Sequence, residues 1–156
     1  GKTAALFAAA CEVGGVIAGR PDATSEALRV YGDALGISFQ IVDDLLDYEG
    51  DAGATGKNVG DDFRERKLTL PLIKAVAAAD AEERAFWART IEKGRQEAGD
   101  LDHALALLDR HGALAATRAD ALAWSARAKA ALADLPDGEV RHLLTALSDY
   151  VVERIA

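Results

Sequence analysis

The stretch FQIVDDLLDY, residues 39–48, places Asp43, Asp44 and Asp47 within five positions and surrounds them with Ile41, Val42, Leu45 and Leu46. A helix turns about 100° per residue. With Asp43 at zero, Asp47 falls at about 40°, Gln40 at about 60° and Asp44 at about 100°, while the four aliphatic residues occupy roughly 160° to 300°. Three carboxylates on one narrow arc repel one another unless a cation lies among them. No Lys or Arg stands three or four positions away to neutralise them, as a solvated helix face often provides. Aspartate is also a poor helix former in mid-helix. These features weigh against an ordinary amphipathic helix with its acids in water and for a carboxylate cluster that holds metal ions.

The segment that follows, EGDAGATGKNVGDD, is Gly-rich and polar, has no periodicity and carries Lys57. Magnesium keeps several waters and is held by one or two carboxylates together with substrate phosphates. A lysine beyond the ion can contact the same phosphates. Acids, loop and lysine together therefore read as a diphosphate site. Two rival motifs fail. An EF-hand loop starting at Asp47 has Ala52 where its turn needs Gly and Asn58 where the bidentate Glu belongs. A P-loop ending at Gly56-Lys57 has Asp51 for its first Gly, Asn58 for the Ser/Thr, and no strand before it.

Helices must position these residues. Lys2 to about Ala18 has helical periodicity and is apolar on most faces, with Gly14 and Gly15 suited to a close helix approach. GRPD at 19–22 breaks it. A second helix is expected from about Thr24 to Tyr48. Thr69 suits a cap and Pro71 a first turn. Asp80 with Glu83 forms an acidic variant of the capping box, for a helix through about Lys93. Asp100 suits the cap of LDHALALLDRH, which Gly112 ends. Helices over about 113–133 and from Glu139 to about Arg154 flank the turn LPDG. Seven helices with short connections and no convincing strand predict an all-α antiparallel bundle.

The chain has 156 residues, half of them hydrophobic, with a net charge of −8 and no Met. This length suits one domain with a real core. The charge argues against a general nucleic-acid binder, which needs basic surface. No apolar run reaches the roughly 18 residues of a membrane span. One cysteine, Cys11, rules out an internal disulfide, fits a reducing compartment and reads as a small core residue. His103, His111 and His142 lack the company of metal ligands. Trp87 and Trp124 read as packing anchors. Gly1 begins in full helical periodicity with no capping residue before it, which reads as part of a longer chain.

FQIVDDLLDY, followed by GKNVGDDFRERKLTLPL and preceded by KTAALFAAAC, closely resembles the trans-polyprenyl diphosphate synthases, and among them the bacterial geranylgeranyl and octaprenyl-type enzymes. The match extends over essentially the whole chain. The resemblance implies the all-α isoprenoid synthase fold, a cytoplasmic homodimer, and trans condensation of an allylic diphosphate with isopentenyl diphosphate using Mg2+. It makes Asp43, Asp44 and Asp47 the second of two aspartate-rich metal motifs, with Asp43 the direct ligand. It makes Lys2, Lys57 and Lys67 contacts of the allylic diphosphate, Thr3 and Gln40 residues at the reacting centre, and Phe39 the aromatic beside Gln40. The first aspartate-rich motif, the arginines after it and the isopentenyl diphosphate site lie N-terminal to the KT element in this family. Residues 1–156 thus correspond to the C-terminal part of one synthase domain, and this chain alone is expected to be inactive. An apolar face around Leu6, Val13, Ile17 and Leu35 is expected where N-terminal helices would pack. The alternatives are a non-catalytic regulatory subunit of a heteromeric synthase and a plain helical interaction module.

Overall fold

The computed structural model describes residues 2–49 and 59–155, and every regular element among them is helical. The elements are α1 (Lys2–Ile17), α2 (Asp22–Glu49), α3 (Asp61–Arg64), α4 (Leu70–Ala78), α5 (Ala81–Trp87) followed by a π-helical turn (Ala88–Glu92), α6 (Asp100–Arg110), α7 (Ala113–Ala131) and α8 (Glu139–Glu153). Two compact units result. One joins Gly1–Val42 with Ala119–Ala156, and the other is Asp43–Arg118.

In the first unit, α1 ends at left-handed Gly19 (φ 61°). Glycine takes this backbone without a Cβ penalty. The close contact of α1 with α2 falls at Gly32 and Gly36. A Cβ on Gly32 would stand 2.7 Å from the Phe7 carbonyl carbon and 2.9 Å from Ala8 Cα, and one on Gly36 would stand 2.7 Å from Ala4 Cα. Of the two glycines expected to permit close packing, Gly15 does so against Ser25, whereas nothing lies within 4 Å of a Cβ at Gly14. Phe7 stacks on Phe39 with centroids 5.9 Å apart.

Three hydroxyls bond main-chain carbonyls on neighbouring helices in this unit. Tyr31 donates to Leu144 O (2.8 Å), Ser38 to Ala121 O (2.9 Å) and Ser125 to Ser148 O (2.9 Å). Tyr31, Leu35, Ala121, Ala128 and Leu132 are buried in this unit. Leu6, Val13 and Ile17 are exposed on α1 as expected. Leu35 is not: it is 1% exposed, because the close approach at Gly32 and Gly36 turns that stretch of α2 into core. Cys11 is half-buried on the wall of a cavity of about 740 Å³ also lined by Leu28, Leu132 and Leu144. Burial pushes its thiol upward, which keeps it protonated and consistent with a packing role.

In the second unit a core of Tyr48, Phe63, Leu72, Ala75, Trp87, Leu107 and Leu108 gathers the end of α2 with α3 to α6. Trp87 meets Phe63 and Phe86 edge-on. Pro71 sits in the first turn of α4 and Thr69 occupies its N-cap position, although the Thr69 side chain makes no capping bond. The capping box at Asp80 and Glu83 forms with both reciprocal bonds. Glu83, buried, also accepts from Arg110 (2.8 Å) and lies 2.9 Å from His111 Nε2.

The segment expected as one helix through Lys93 is α-helical to Trp87 and π-helical beyond it. Arg89 closes this turn by donating to Arg95 O and, with two bonds, to the Asp100 carboxylate. Asp100 therefore does not cap α6. Gly99 (φ 89°) holds the N-cap position, and the Asp100 carboxylate accepts from Glu97 N and Arg89 instead.

Candidate functional site

The arc read from the sequence is realised on α2. Ile41, Val42 and Leu45 are buried and Leu46 half-buried, while Gln40 and Asp43 are exposed and Asp44 and Asp47 half-buried. The named site residues divide between the units. The first holds Lys2, Thr3, Phe39 and Gln40. The second holds Asp43, Asp44, Asp47 and Lys67. Lys57 lies outside the described residues.

In the first unit, Thr3 Oγ1 donates to Gln40 Oε1 at 3.3 Å. The small residues at Gly32 and Gly36 bring α1 near enough for this, and the Phe7–Phe39 stack lies one residue before Gln40. Lys2 is exposed in the first turn of α1.

In the second unit, main-chain amides meet two of the acids. Asp44 Oδ2 accepts from Leu70 N at the start of α4 (3.5 Å). Asp47 Oδ2 accepts from Asp62 N (3.0 Å), and Asp47 O accepts from Gly60 N (2.8 Å). Gly60 is left-handed (φ 81°), and a Cβ there would collide with Leu101. Beside them Tyr48 is buried, with its hydroxyl 3.4 Å from Thr69 Oγ1, and its pKa is pushed up to about 12, mainly by that burial.

Desolvation raises the Asp47 carboxyl above its ordinary 3.8, reinforced by the charges of Asp62 and Asp61, while the Asp62 amide and Lys67 pull it down. A carboxyl with a raised folded value binds its proton more tightly folded than unfolded. Stability therefore falls as pH rises from 3.8 through the raised value, and the penalty persists at neutral pH. Asp47→Asn is expected to melt about 1–3 °C higher at pH 7 in EDTA, by the scale of small stability changes in a domain of this size. At a pH below 3.8 the difference should vanish. Differential scanning calorimetry at the two pH values checks this, and a lower melting point at pH 7 contradicts it.

Lys67 follows Arg66, which holds a left-handed backbone (φ 59°) that side chains other than glycine rarely adopt. The Arg66 guanidinium packs where a Cβ on Gly94 would stand, 2.5 Å from Nη1. Gln96 Nε2 donates to Phe63 O (2.8 Å) from the same connection. Lys67 Nζ lies 2.9 Å from Asp62 Oδ1 and 2.6 Å from Glu65 Oε2, and these two partners raise its pKa. Asp62 is the residue sequence reasoning missed. Its only signal was its place as the second acid of GDD, five positions before Lys67.

Among the described residues, no group of three His, Cys, Asp or Glu side chains closes into a protein cage for a metal ion. The donor set does fit a hard cation completed by ligand oxygens. Each carboxylate can accept at more than one site, so the amides at Asp44 and Asp47 leave oxygen lone pairs over. Magnesium needs few of them when phosphates supply the rest.

Solved structures of the isoprenoid synthase fold superpose closely on the chain. A polyprenyl synthase from Roseobacter denitrificans matches with a TM-score of 0.94 and 69% identity, covering 99% of this chain and 50% of that one. A polyprenyl synthase from Caulobacter crescentus, solved in complex with calcium and isoprenyl diphosphate, matches at 0.89 and 49% identity, covering 99% of this chain and 47% of that one. The chain belongs to the polyprenyl synthetase family, whose model matches residues 1–108. The octaprenyl diphosphate synthase of Haemophilus influenzae is 39% identical over 154 residues, which are 98% of this chain and 46% of the relative. The chain thus spans about half the length of the relatives it matches.

Proposed function

We propose that this chain supplies the allylic diphosphate side of a trans-polyprenyl diphosphate synthase, which condenses an allylic diphosphate with isopentenyl diphosphate. The observation that carries this is the link on Asp62: its amide binds the Asp47 carboxylate and its side chain binds the Lys67 ammonium. Acids suited to a cation and a base suited to a phosphate are thereby tied to one residue. The calcium and isoprenyl diphosphate named for the Caulobacter crescentus structure support the same ligand chemistry.

In this proposal Asp43, Asp44 and Asp47 hold Mg2+, and Lys2, Lys57 and Lys67 contact the diphosphate. When bound, the metal supplies positive charge that stabilises the departing diphosphate. The lysines do the same from the protein side, without a change of protonation. The carbon–oxygen bond of the allylic diphosphate breaks and leaves an allylic cation. The terminal double bond of isopentenyl diphosphate attacks it, and the proton then lost passes to the departing diphosphate. Thr3, Phe39 and Gln40 border the reacting carbon, and no protein nucleophile is required.

A homodimeric, cytoplasmic enzyme is part of the same proposal. Among the described residues no helix is long and apolar enough to cross a membrane. The test is a radiolabelled isopentenyl diphosphate assay with an allylic primer, on the protein as produced from its own gene. Label should enter longer polyprenyl diphosphates with magnesium and not with EDTA. Absence of incorporation with every allylic primer, in protein that binds magnesium pyrophosphate, overturns the proposal.

A further inference from the structure

The segment from Asp62 to Lys67 is a closed turn. Lys67 N donates to Asp62 O (2.9 Å) and Arg66 N to Phe63 O (3.0 Å). Lys67 Nζ returns to Asp62 Oδ1 (2.9 Å), so the lysine is bracketed by main chain and side chain of the same residue. The Asp62 side chain is only 15% exposed, whereas those of Lys67 and Glu65 are 55% and 61% exposed. The two acceptors therefore differ in kind. Asp62 is embedded, and its own amide is pinned to Asp47 (3.0 Å). Glu65 reaches Lys67 through solvent-exposed side chains, and such pairs contribute little.

Left-handed Arg66 is what lets the chain double back between these residues. Its guanidinium lies over Gly94, and Gln96 bonds Phe63 O from the same connection, so the strained position is supported from outside the turn. A lysine side chain has four flexible bonds and no preferred direction of its own. Fixing one end of its travel on Asp62 lowers the ordering cost when an anion binds.

We infer that Asp62 is a positioning residue that presents the Lys67 ammonium to a phosphate-bearing ligand, and that Glu65 is the acceptor this ligand displaces. The inference rests on the diphosphate role proposed above for Lys67. Asp62 touches neither ligand nor metal in this scheme. It acts through Lys67.

The test is calorimetric titration of inorganic pyrophosphate with magnesium into the protein as produced from its own gene. Lys67→Met alone should weaken binding. Asp62→Asn keeps the size of the side chain and the amide bond to Asp47. It should weaken binding roughly tenfold in the parent, a coupling typical of residues in one ion-pair network, but less than about twofold when combined with Lys67→Met. A merely structural role for Asp62 would show the same factor in both backgrounds, and that result overturns the inference while leaving the role of Lys67 intact. Glu65→Gln gives an independent reading should Asp62→Asn fold poorly. It should tighten binding by about two- to threefold in the parent, the size of a surface ion pair. Unchanged or weaker binding by Glu65→Gln contradicts the displacement step. Lys67→Met protein that binds as tightly as the parent defeats the proposed diphosphate role of Lys67, and this inference with it.

Discussion

In the synthase proposed above, as produced from its own gene, Asp43→Ala is expected to lower prenyl transfer by roughly 10²–10³, the loss seen when one charge-stabilising contact is removed from a transition state. Asp102→Ala, which removes an exposed acid from the first turn of α6, is expected to leave transfer within about twofold, as surface substitutions usually do. Asp43 suits this comparison because it is exposed, so its removal should leave folding almost unchanged. Asp44 and Asp47 are less clean subjects, since each carboxylate accepts from a main-chain amide that its loss would strand. Initial rates at saturating magnesium, beside melting curves for both variants, decide the matter. Equal turnover of Asp43→Ala and Asp102→Ala removes Asp43 from the proposed metal set.

The largest expected loss of stability is at Phe63. This side chain is 1% exposed, packs edge-on against Trp87 and lies between Asp62 and the Lys67 end of the turn. Phe63→Ala should cost about 3–5 kcal/mol, through lost burial and the cavity left behind. That is a large fraction of the stability of an ordinary domain. Phe63→Leu keeps most of the apolar volume and should lose much less. Urea unfolding followed by tryptophan fluorescence reports the change directly, because Trp87 is the neighbour. A loss below about 1 kcal/mol for Phe63→Ala would mean that the turn carrying Lys67 is not built on this core.

Helices with strong local signals were legible in advance. The apolar periodicity of α2, the proline of α4, and Asp80 with Glu83 at α5 each act through residues within a turn of one another, so spacing alone reveals them. The features that were not legible depend on distant partners. Asp is a favoured N-cap, which makes Asp100 the natural choice for α6. Its carboxylate is instead drawn to Arg89, eleven residues earlier, and a left-handed Gly99 takes the cap. The same Arg89 holds the π-helical turn, which no periodicity announces. Helix α3, with four residues, is too short to show a period. The acid arc of the site was readable because it is a property of one helix. Asp62 was not, because its importance lies in meeting Asp47 and Lys67 at once, fifteen residues from the first and five from the second.

The three hydroxyl bonds among α2, α7 and α8 bear on a difficulty that small side chains create. The buried residues of α2 and α7 include the alanines Ala34, Ala121 and Ala128, each at 0% exposure. A methyl surface has little relief, so one helix could slip along another by a residue, about 1.5 Å, with only a modest change in packing. Slippage of that size would carry every side chain of the helix to a new height. The phenol of Tyr31 and the hydroxyls of Ser38 and Ser125 each reach one carbonyl and would lose it on such a slip. They act as detents along the helix axis: Tyr31 and Ser38 set the height of α2 against α8 and α7, and Ser125 sets α7 against α8, where bulk alone would leave them loosely indexed. The height of Gln40, two residues beyond Ser38, is set by the same catch.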